Sequence, residues 1–189
     1  MESKSRNEID RLLADSLKQL SATRPIDKIT IKEITDRAGV IRPTFYNHFQ
    51  DKYELLEWIV RSELIEPMIP LINSGMLREG VLIAMKAIRA DSSFYRQAVR
   101  LEGQNSFKDI LCDSIRDLIL RYLSTYIKRQ KTPYEWITPE RIASFYAGSM
   151  TYIVTDWISD GMKIPENELV DTFIYLFTHS VLEVVGGRK

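Results

Sequence analysis

The stretch that decides the fold runs from Thr30 to Lys52 and reads TIKEITDRAGVIRPTFYNHFQDK. It opens with a capping box, because Glu33 follows Thr30 by three residues and Ile31 starts a helical apolar pattern. The pattern lasts until Ala38. We therefore predict a short helix here, and not the strand that the β-branched residues before it would allow.

A second short helix is predicted after a tight turn. Gly39 suits a turn that needs a positive φ, and Pro43 fits the first turn of a helix, where its missing N–H costs nothing. Val40, Phe45 and Phe49 supply apolar side chains for a core that the two helices share. The whole stretch is therefore predicted to be a helix-turn-helix.

The polar residues on the outer face of the second helix suit the major groove of DNA. Arg42 can bond guanine, Asn47 can bond adenine, and the methyl group of Thr44 can contact thymine. Tyr46 and Lys52 suit phosphate oxygens, which fix the position of a protein on the duplex without carrying sequence information. We therefore predict that this helix reads bases.

Two more residues complete the candidate surface. Thr30 stands at a helix N-terminus, where backbone N–H groups favour a phosphate, and His48 lies on the polar face with no second metal ligand at a suitable spacing. The residues that we predict to bind DNA are Thr30, Arg42, Thr44, Tyr46, Asn47, His48 and Lys52.

Helical periodicity continues through the rest of the chain. Residues 9–20 and 107–126 each carry an apolar stripe at helical spacing, and no comparable alternating pattern of a strand appears in the sequence. Pro67 and Pro70 are predicted to stop the helix that begins near Asp51. We expect an all-α fold of about nine helices.

The composition is that of a globular protein, with 189 residues of which 44% are hydrophobic and 28% charged. Its 26 basic and 26 acidic residues balance, so basic character must be local if the chain binds nucleic acid. Residues 1–52 hold ten basic and eight acidic residues, a mild excess of positive charge. We predict a DNA-binding domain over residues 1–52 and a helical effector-sensing and dimerisation domain over residues 53–189.

The sequence offers little for catalysis or export. No nucleophile–base pair, phosphate-binding glycine loop or metal cluster stands out, so we expect no enzyme, no cofactor and no metal. The single cysteine, Cys112, cannot form an internal disulfide, and neither a signal-peptide pattern nor a long apolar run appears. We expect a cytoplasmic protein that does not enter a membrane.

The helix-turn-helix stretch resembles the N-terminal domain of TetR-type transcriptional regulators, whose motif reads IAxxAGVSxGTFYxHFxxKxxLL. The resemblance rests on the run Ile31–Ala38 and on Gly39, Val40, Thr44, Phe45, Tyr46, His48, Phe49, Lys52, Leu55 and Leu56. Two positions depart from the motif. Ile41 replaces a small or hydroxyl residue and Pro43 replaces glycine, so the second helix begins without a side-chain cap.

The resemblance implies a homodimer that regulates transcription, as a repressor or an activator. Thr44, Tyr46 and Lys52 would touch DNA, largely its backbone, while Arg42 and Asn47 would face the bases. Two recognition helices about one turn of DNA apart would read a palindromic operator. An effector would act by binding differently to two arrangements of the dimer.

The C-terminal helices bear on the effector and on the dimer. The segment from Ala143 to Met162 is similar to the penultimate helix of regulators of dihydroxyacetone kinase operons. Two effectors stay open: a small molecule in a pocket lined by aromatic and methionine residues of the middle region, or a kinase-like partner protein. This helix is too apolar for one buried side, and Ala147 and Gly148 permit close approach of another helix, which predicts a four-helix dimer interface.

Overall fold

The computed structural model describes residues 2–103, 105–126 and 134–186, and these residues form helices and connections without a strand. The α-helices are α1 (Glu2–Ser21), α2 (Ile31–Ala38), α3 (Arg42–His48), α4 (Lys52–Ile59), α5 (Ile69–Asn73), α6 (Leu77–Ala90), α7 (Ser92–Ala98), α8 (Phe107–Tyr126), α9 (Pro139–Ser159), α10 (Glu166–Thr178) and α11 (Val181–Gly186). The predicted all-α fold is confirmed. Because α4 and α5 belong to one continuous run, the described residues form ten separate helices, close to the number expected.

The helix-turn-helix is formed by α2 and α3, as predicted. The capping box is present, since the Thr30 hydroxyl accepts from the Glu33 N–H at 3.3 Å and Glu33 accepts from the Thr30 N–H at 2.9 Å. Gly39 ends α2 with a φ of 70°. Ile41 precedes α3 without a side-chain cap, as its departure from the motif predicted. Local sequence therefore sets both ends of this turn.

The expectation that Pro67 and Pro70 stop the helix after Asp51 is wrong. The run continues from α4 through a π-helical turn (Val60–Ile65) and a 3-10 turn (Glu66–Met68) into α5. The π-helical turn widens the helix just before Pro67, whose ring would clash with the carbonyl four residues earlier in a regular α-helix. Pro70 follows the 3-10 turn, where the Ile69 N–H donates to the Glu66 carbonyl, so this carbonyl does not need the N–H that Pro70 lacks.

One apolar core continues from the N-terminal helices into the C-terminal helices. Leu13 and Leu17 of α1 and Leu55, Leu56 and Ile59 of α4 are fully buried in it. Farther along the chain, α8 packs against α9, and α6 packs against α10. The predicted domain boundary after residue 52 therefore falls at the first residue of α4, a helix whose apolar side packs on α1; the boundary itself stays a prediction.

No helix in the described ranges is long and apolar enough to cross a membrane. Within the same ranges, no three histidine, cysteine, aspartate or glutamate side chains stand together as a candidate metal site.

Candidate functional site

The outer face of α3 carries an exposed group of polar side chains. Arg42, Tyr46 and Asn47 are exposed, and Thr44 beside them is half-buried. Arg42 donates to the Tyr46 hydroxyl at 3.3 Å, and its guanidinium lies 5.9 Å from the centre of the Tyr46 ring. Phe45 is fully buried on the opposite side, so the helix cannot rotate without exposing it. Five of the seven predicted residues thus lie on this short helix, and all but His48 are on its outer face.

Thr30 is exposed at the N-terminus of α2, but its polar groups already have a carboxylate partner. Glu33 accepts from the Thr30 hydroxyl at 2.8 Å and from Arg24 at 2.8 Å. Three donors lower the pKa of Glu33 to about 2. The backbone N–H of Thr30 has the largest effect, and Arg24 and the Thr30 hydroxyl come next. A phosphate at this helix end would therefore lie beside a negative charge.

His48 faces the interior of the helical unit. Its Nδ1 lies 2.7 Å from Oδ1 of Asp10 in α1, and the two side chains are only 11% and 8% exposed. The sequence did not identify Asp10 as its partner. The signal was available, because Asp10 lies on the buried stripe of α1 with Leu13 and Leu17, where an unpaired carboxylate would be costly.

Lys52 also makes internal contacts. Its ammonium donates to three backbone carbonyls, those of Ile26 at 3.0 Å, Asp27 at 2.6 Å and Ile29 at 2.9 Å. Burial lowers the pKa of Lys52, and the nearby carboxylates of Asp27 and Asp51 act against that effect. An ammonium has three protons to donate, so the three carbonyls use all of them. Lys52 thus fixes the chain that leads into α2.

A second feature is an apolar cavity of about 480 Å³ in the C-terminal helices. It lies between the helical run that contains the π-helical turn and the helices α6, α8, α9 and α10. Met68, Met85 and Tyr122 belong to its wall, in line with the pocket of aromatic and methionine residues that the sequence left open. None of the residues that line it in the described structure is charged.

The third feature is an exposed apolar surface on α9 and the helices after it. Phe145 and Tyr152 are 68% and 64% exposed, although Ala147 and Ile158 on the other side of α9 are fully buried. Further large apolar residues are exposed on α10 and α11: Tyr175, Leu176, Val181, Leu182 and Val185. The helix α9 is thus apolar on two sides, and the described residues leave one of them uncovered.

A helix-turn-helix with an exposed polar face, joined to helices that enclose a cavity, defines a DNA-binding transcriptional regulator. Comparison with known proteins gives the family. Residues 13–59 match the family described as "Bacterial regulatory proteins, tetR family", and residues 76–179, more than half of the chain, match the family described as "Transcriptional regulator C-terminal region". The chain belongs to the TetR family of bacterial regulators, as the sequence motif indicated.

Relatives over most of the chain include a regulator of a dihydroxyacetone kinase operon. The HTH-type dhaKLM operon transcriptional activator DhaS of Lactococcus lactis is 24% identical over 82% of this chain and 81% of its own length. The solved structure of a dihydroxyacetone kinase operon activator DhaS has a TM-score of 0.65 at 19% identity, covering 90% and 94% of the two chains. The fatty acid degradation regulator FadR from Bacillus halodurans has a TM-score of 0.59 at 17% identity, covering 92% and 96%. These structural likenesses show a shared fold.

Proposed function

We propose that this TetR-family regulator acts as a homodimer, that it reads a two-fold symmetric operator with α3, and that an effector sets its affinity for DNA. The observation that carries the proposal is the exposed group of Arg42, Tyr46 and Asn47, held outward by the buried Phe45. These residue types suit the major groove, and a short helix is the element that enters it.

The contacts that we propose divide into two sets. Arg42, Asn47 and the methyl group of Thr44 face base edges, while the Tyr46 hydroxyl bonds a phosphate oxygen. Thr30, whose N–H and hydroxyl both donate to Glu33, caps α2 in this proposal and does not bond a phosphate. His48 and Lys52, which we predicted to bind DNA directly, act in this proposal through the scaffold. The inward contacts of their side chains support this assignment.

The proposed dimer uses the exposed apolar surface of α9, α10 and α11. One seven-residue helix reads too few base pairs to select an operator among the competing sites of a genome, so two copies are needed. A two-fold dimer places the same surface of both copies in contact, and α9 and α10 of each copy would form a four-helix interface. Exposed Phe145 and Tyr152 are the central residues of this surface.

The proposed effector site is the apolar cavity. Filling it would favour one arrangement of the dimer, and the operator affinity would change by the difference in effector affinity between the two arrangements. A kinase-like partner protein is the second candidate effector, and the similarity to an activator of a dihydroxyacetone kinase operon favours it. Because a bacterial chromosome lies in the cytoplasm, we place the action of the protein there.

The test is selection of genomic DNA fragments by the purified protein at near-physiological salt, followed by footprinting of the best fragment. Low salt is avoided because non-specific phosphate contacts then dominate. We expect a protected two-fold symmetric site with half-sites about one helical turn apart. Asn47→Ala should reduce the enrichment of the operator fragment. Gln50→Ala, which changes an exposed residue just beyond α3, should leave that enrichment unchanged. Protection without symmetry, or equal selection by both variants, would overturn the proposal.

A further inference from the structure

Resting on the proposed function, we infer that the effector is a lipophilic molecule whose buried part is hydrocarbon and which brings no charge into the cavity. The inner wall supports this inference. Leu64, Ile88 and Val170 are at most 1% exposed, and Leu111 and Val154 beside them are nearly as buried. A charged or strongly polar group at this depth would lose its water without gaining a partner.

The hydroxyl-bearing side chains of the cavity are not fully buried. The side chains that bring hydroxyls to it are Tyr122, Tyr146 and Thr178, and all three keep some exposure to solvent. The Thr178 hydroxyl already donates to the carbonyl of Ile174 at 2.8 Å. A ligand with one polar group would therefore leave that group near the rim while its hydrocarbon part fills the interior.

Two charged residues beside the cavity are paired with each other. Arg78 follows the lining residue Leu77, and Asp171 follows the lining residue Val170. Arg78 Nε lies 2.7 Å from Asp171 Oδ1, and Nη2 lies 2.9 Å from Oδ2, so the pair is bidentate. This pair links α6 to α10 and holds one wall of the cavity, and its two charges satisfy each other.

The size of the cavity also bears on the ligand. A volume of about 480 Å³ lies within the range usual for small organic ligands. Water in an apolar cavity finds few hydrogen-bond partners, so hydrocarbon displaces it favourably. Dihydroxyacetone has polar groups on every carbon, and the inner wall offers none of them a partner. The cavity therefore fits a different chemistry from the one in the name of the dihydroxyacetone kinase operon relative.

The experiment titrates the full-length protein with the straight-chain alcohols from pentanol to decanol by calorimetry, with dihydroxyacetone as the polar comparison. We expect affinity to rise roughly fourfold per methylene group until the chain outgrows the cavity. We expect no binding of dihydroxyacetone. No binding of any alcohol, an affinity that does not change with chain length, or tighter binding of dihydroxyacetone would overturn the inference.

Two matched variants locate the binding. Ala84 lines the cavity and is buried, whereas Ala90 ends the same helix and is exposed. Ala84→Phe should weaken octanol binding by more than roughly tenfold, a loss equivalent to two or more methylene groups, and Ala90→Phe should leave it unchanged. If Ala84→Phe lacks the wild-type helical circular dichroism, Ala84→Leu replaces it. Equal octanol affinity in a folded cavity variant and in Ala90→Phe would contradict the assignment.

A parallel footprint separates this inference from the proposed function. A symmetric footprint together with no alcohol binding would leave the DNA-binding function standing and remove the lipophilic effector. Alcohol binding without any footprint would leave a lipophile site and remove the operator-reading function. Where both occur, octanol should change the operator affinity of the wild type and have less effect on Ala84→Phe; an unchanged affinity would show that the bound lipophile is not the effector.

Discussion

Lys18 of α1 donates a hydrogen bond of 2.6 Å to Glu63, which lies in the π-helical turn between α4 and α5. The ammonium also donates to Asp91 at 2.9 Å, and the Lys18 side chain is only 15% exposed. Leu64 and Ile65, the two residues after Glu63, line the apolar cavity. Lys18 thus joins α1, which packs against α2 of the helix-turn-helix, to the segment that an effector would touch.

Replacing Lys18 with methionine should loosen this connection. Lys18→Met leaves the carboxylates of Glu63 and Asp91 without their ammonium, so we expect the free energy of unfolding to fall by about 1–3 kcal/mol. We also expect a smaller effect of octanol on operator affinity. Urea unfolding measures the first effect, and the operator affinity with and without octanol measures the second. The control is Lys32→Met, which removes an exposed pair with Asp36 and should leave both unchanged; equal unfolding midpoints for the two variants would contradict this role of Lys18.

Stability in acid should report the capping box of α2. The pKa of Glu33 is lowered from 4.5 to about 2, first by the Thr30 N–H and then by Arg24. A lowered folded-state pKa means that the ionised carboxylate stabilises the folded state above pH 4.5 and that this contribution is lost as the pH falls towards 2. The difference in urea midpoint between wild type and Glu33→Gln should therefore shrink over that interval. A difference that stays constant down to the lowest pH at which both proteins fold would exclude this linkage.

The sequence predicts those features of the fold that depend on neighbours along the chain. The capping box at Thr30 and the positive φ of Gly39 both follow from residues within one turn, and both are present. The course of the helix through Pro67 was missed because a proline predicts where a regular helix stops. It does not predict that a π-helical turn will accommodate its ring.

The candidate site was predictable only in part, for a related reason. Arg42, Tyr46 and Asn47 lie where helical spacing from the buried Phe45 places them. The direction of the His48 side chain depends on Asp10, which is 38 residues away in the chain. No local sequence pattern predicts the cavity, because it is formed by helices that are far apart in the chain and whose packing a single sequence does not reveal.

Lys52 gives a test of the scaffold role. Lys52→Met removes three hydrogen bonds to the chain before α2, and we expect the free energy of unfolding to fall by about 1–3 kcal/mol. If Lys52 contacted a phosphate, Lys52→Met would instead remove that contact and lower the salt dependence of DNA binding by about one unit of slope. We expect that slope to stay as in the wild type. An unchanged stability with a reduced slope would return Lys52 to the DNA-contacting residues.

The dimer surface on α9 is open to direct disruption. Phe145→Glu would place a carboxylate from each copy in an apolar interface, so we expect the protein to sediment as a monomer and to lose affinity for the complete operator. Trp136→Glu is the matched control, because Trp136 is equally exposed, at 68%, and lies before α9. It should remain a dimer. Dissociation of both variants, or of neither, would argue against this interface.

Two neighbouring residues of α3 should differ in what they contribute to DNA recognition. Tyr46→Phe keeps the ring against Phe45 and removes only the hydroxyl, so it should weaken binding to every sequence by about 1.5–3 kcal/mol if the hydroxyl bonds a phosphate. Asn47→Ala should cost about 1–3 kcal/mol of binding free energy on the preferred operator. It should cost much less on an operator in which the base pair that Asn47 contacts has been changed in each half-site.

The measurement is the affinity of each variant for a panel of operators with single symmetric changes, at one fixed salt concentration. Gln50→Ala serves as the control, and it should match the wild type across the panel. The Arg42 guanidinium lies 5.9 Å from the centre of the Tyr46 ring, which Tyr46→Phe keeps, so we expect the base preference to stay as in the wild type. A uniform loss from both variants would mean that Asn47 also contacts the backbone. A shift in base preference caused by Tyr46→Phe would mean that its hydroxyl, through Arg42, takes part in reading the sequence.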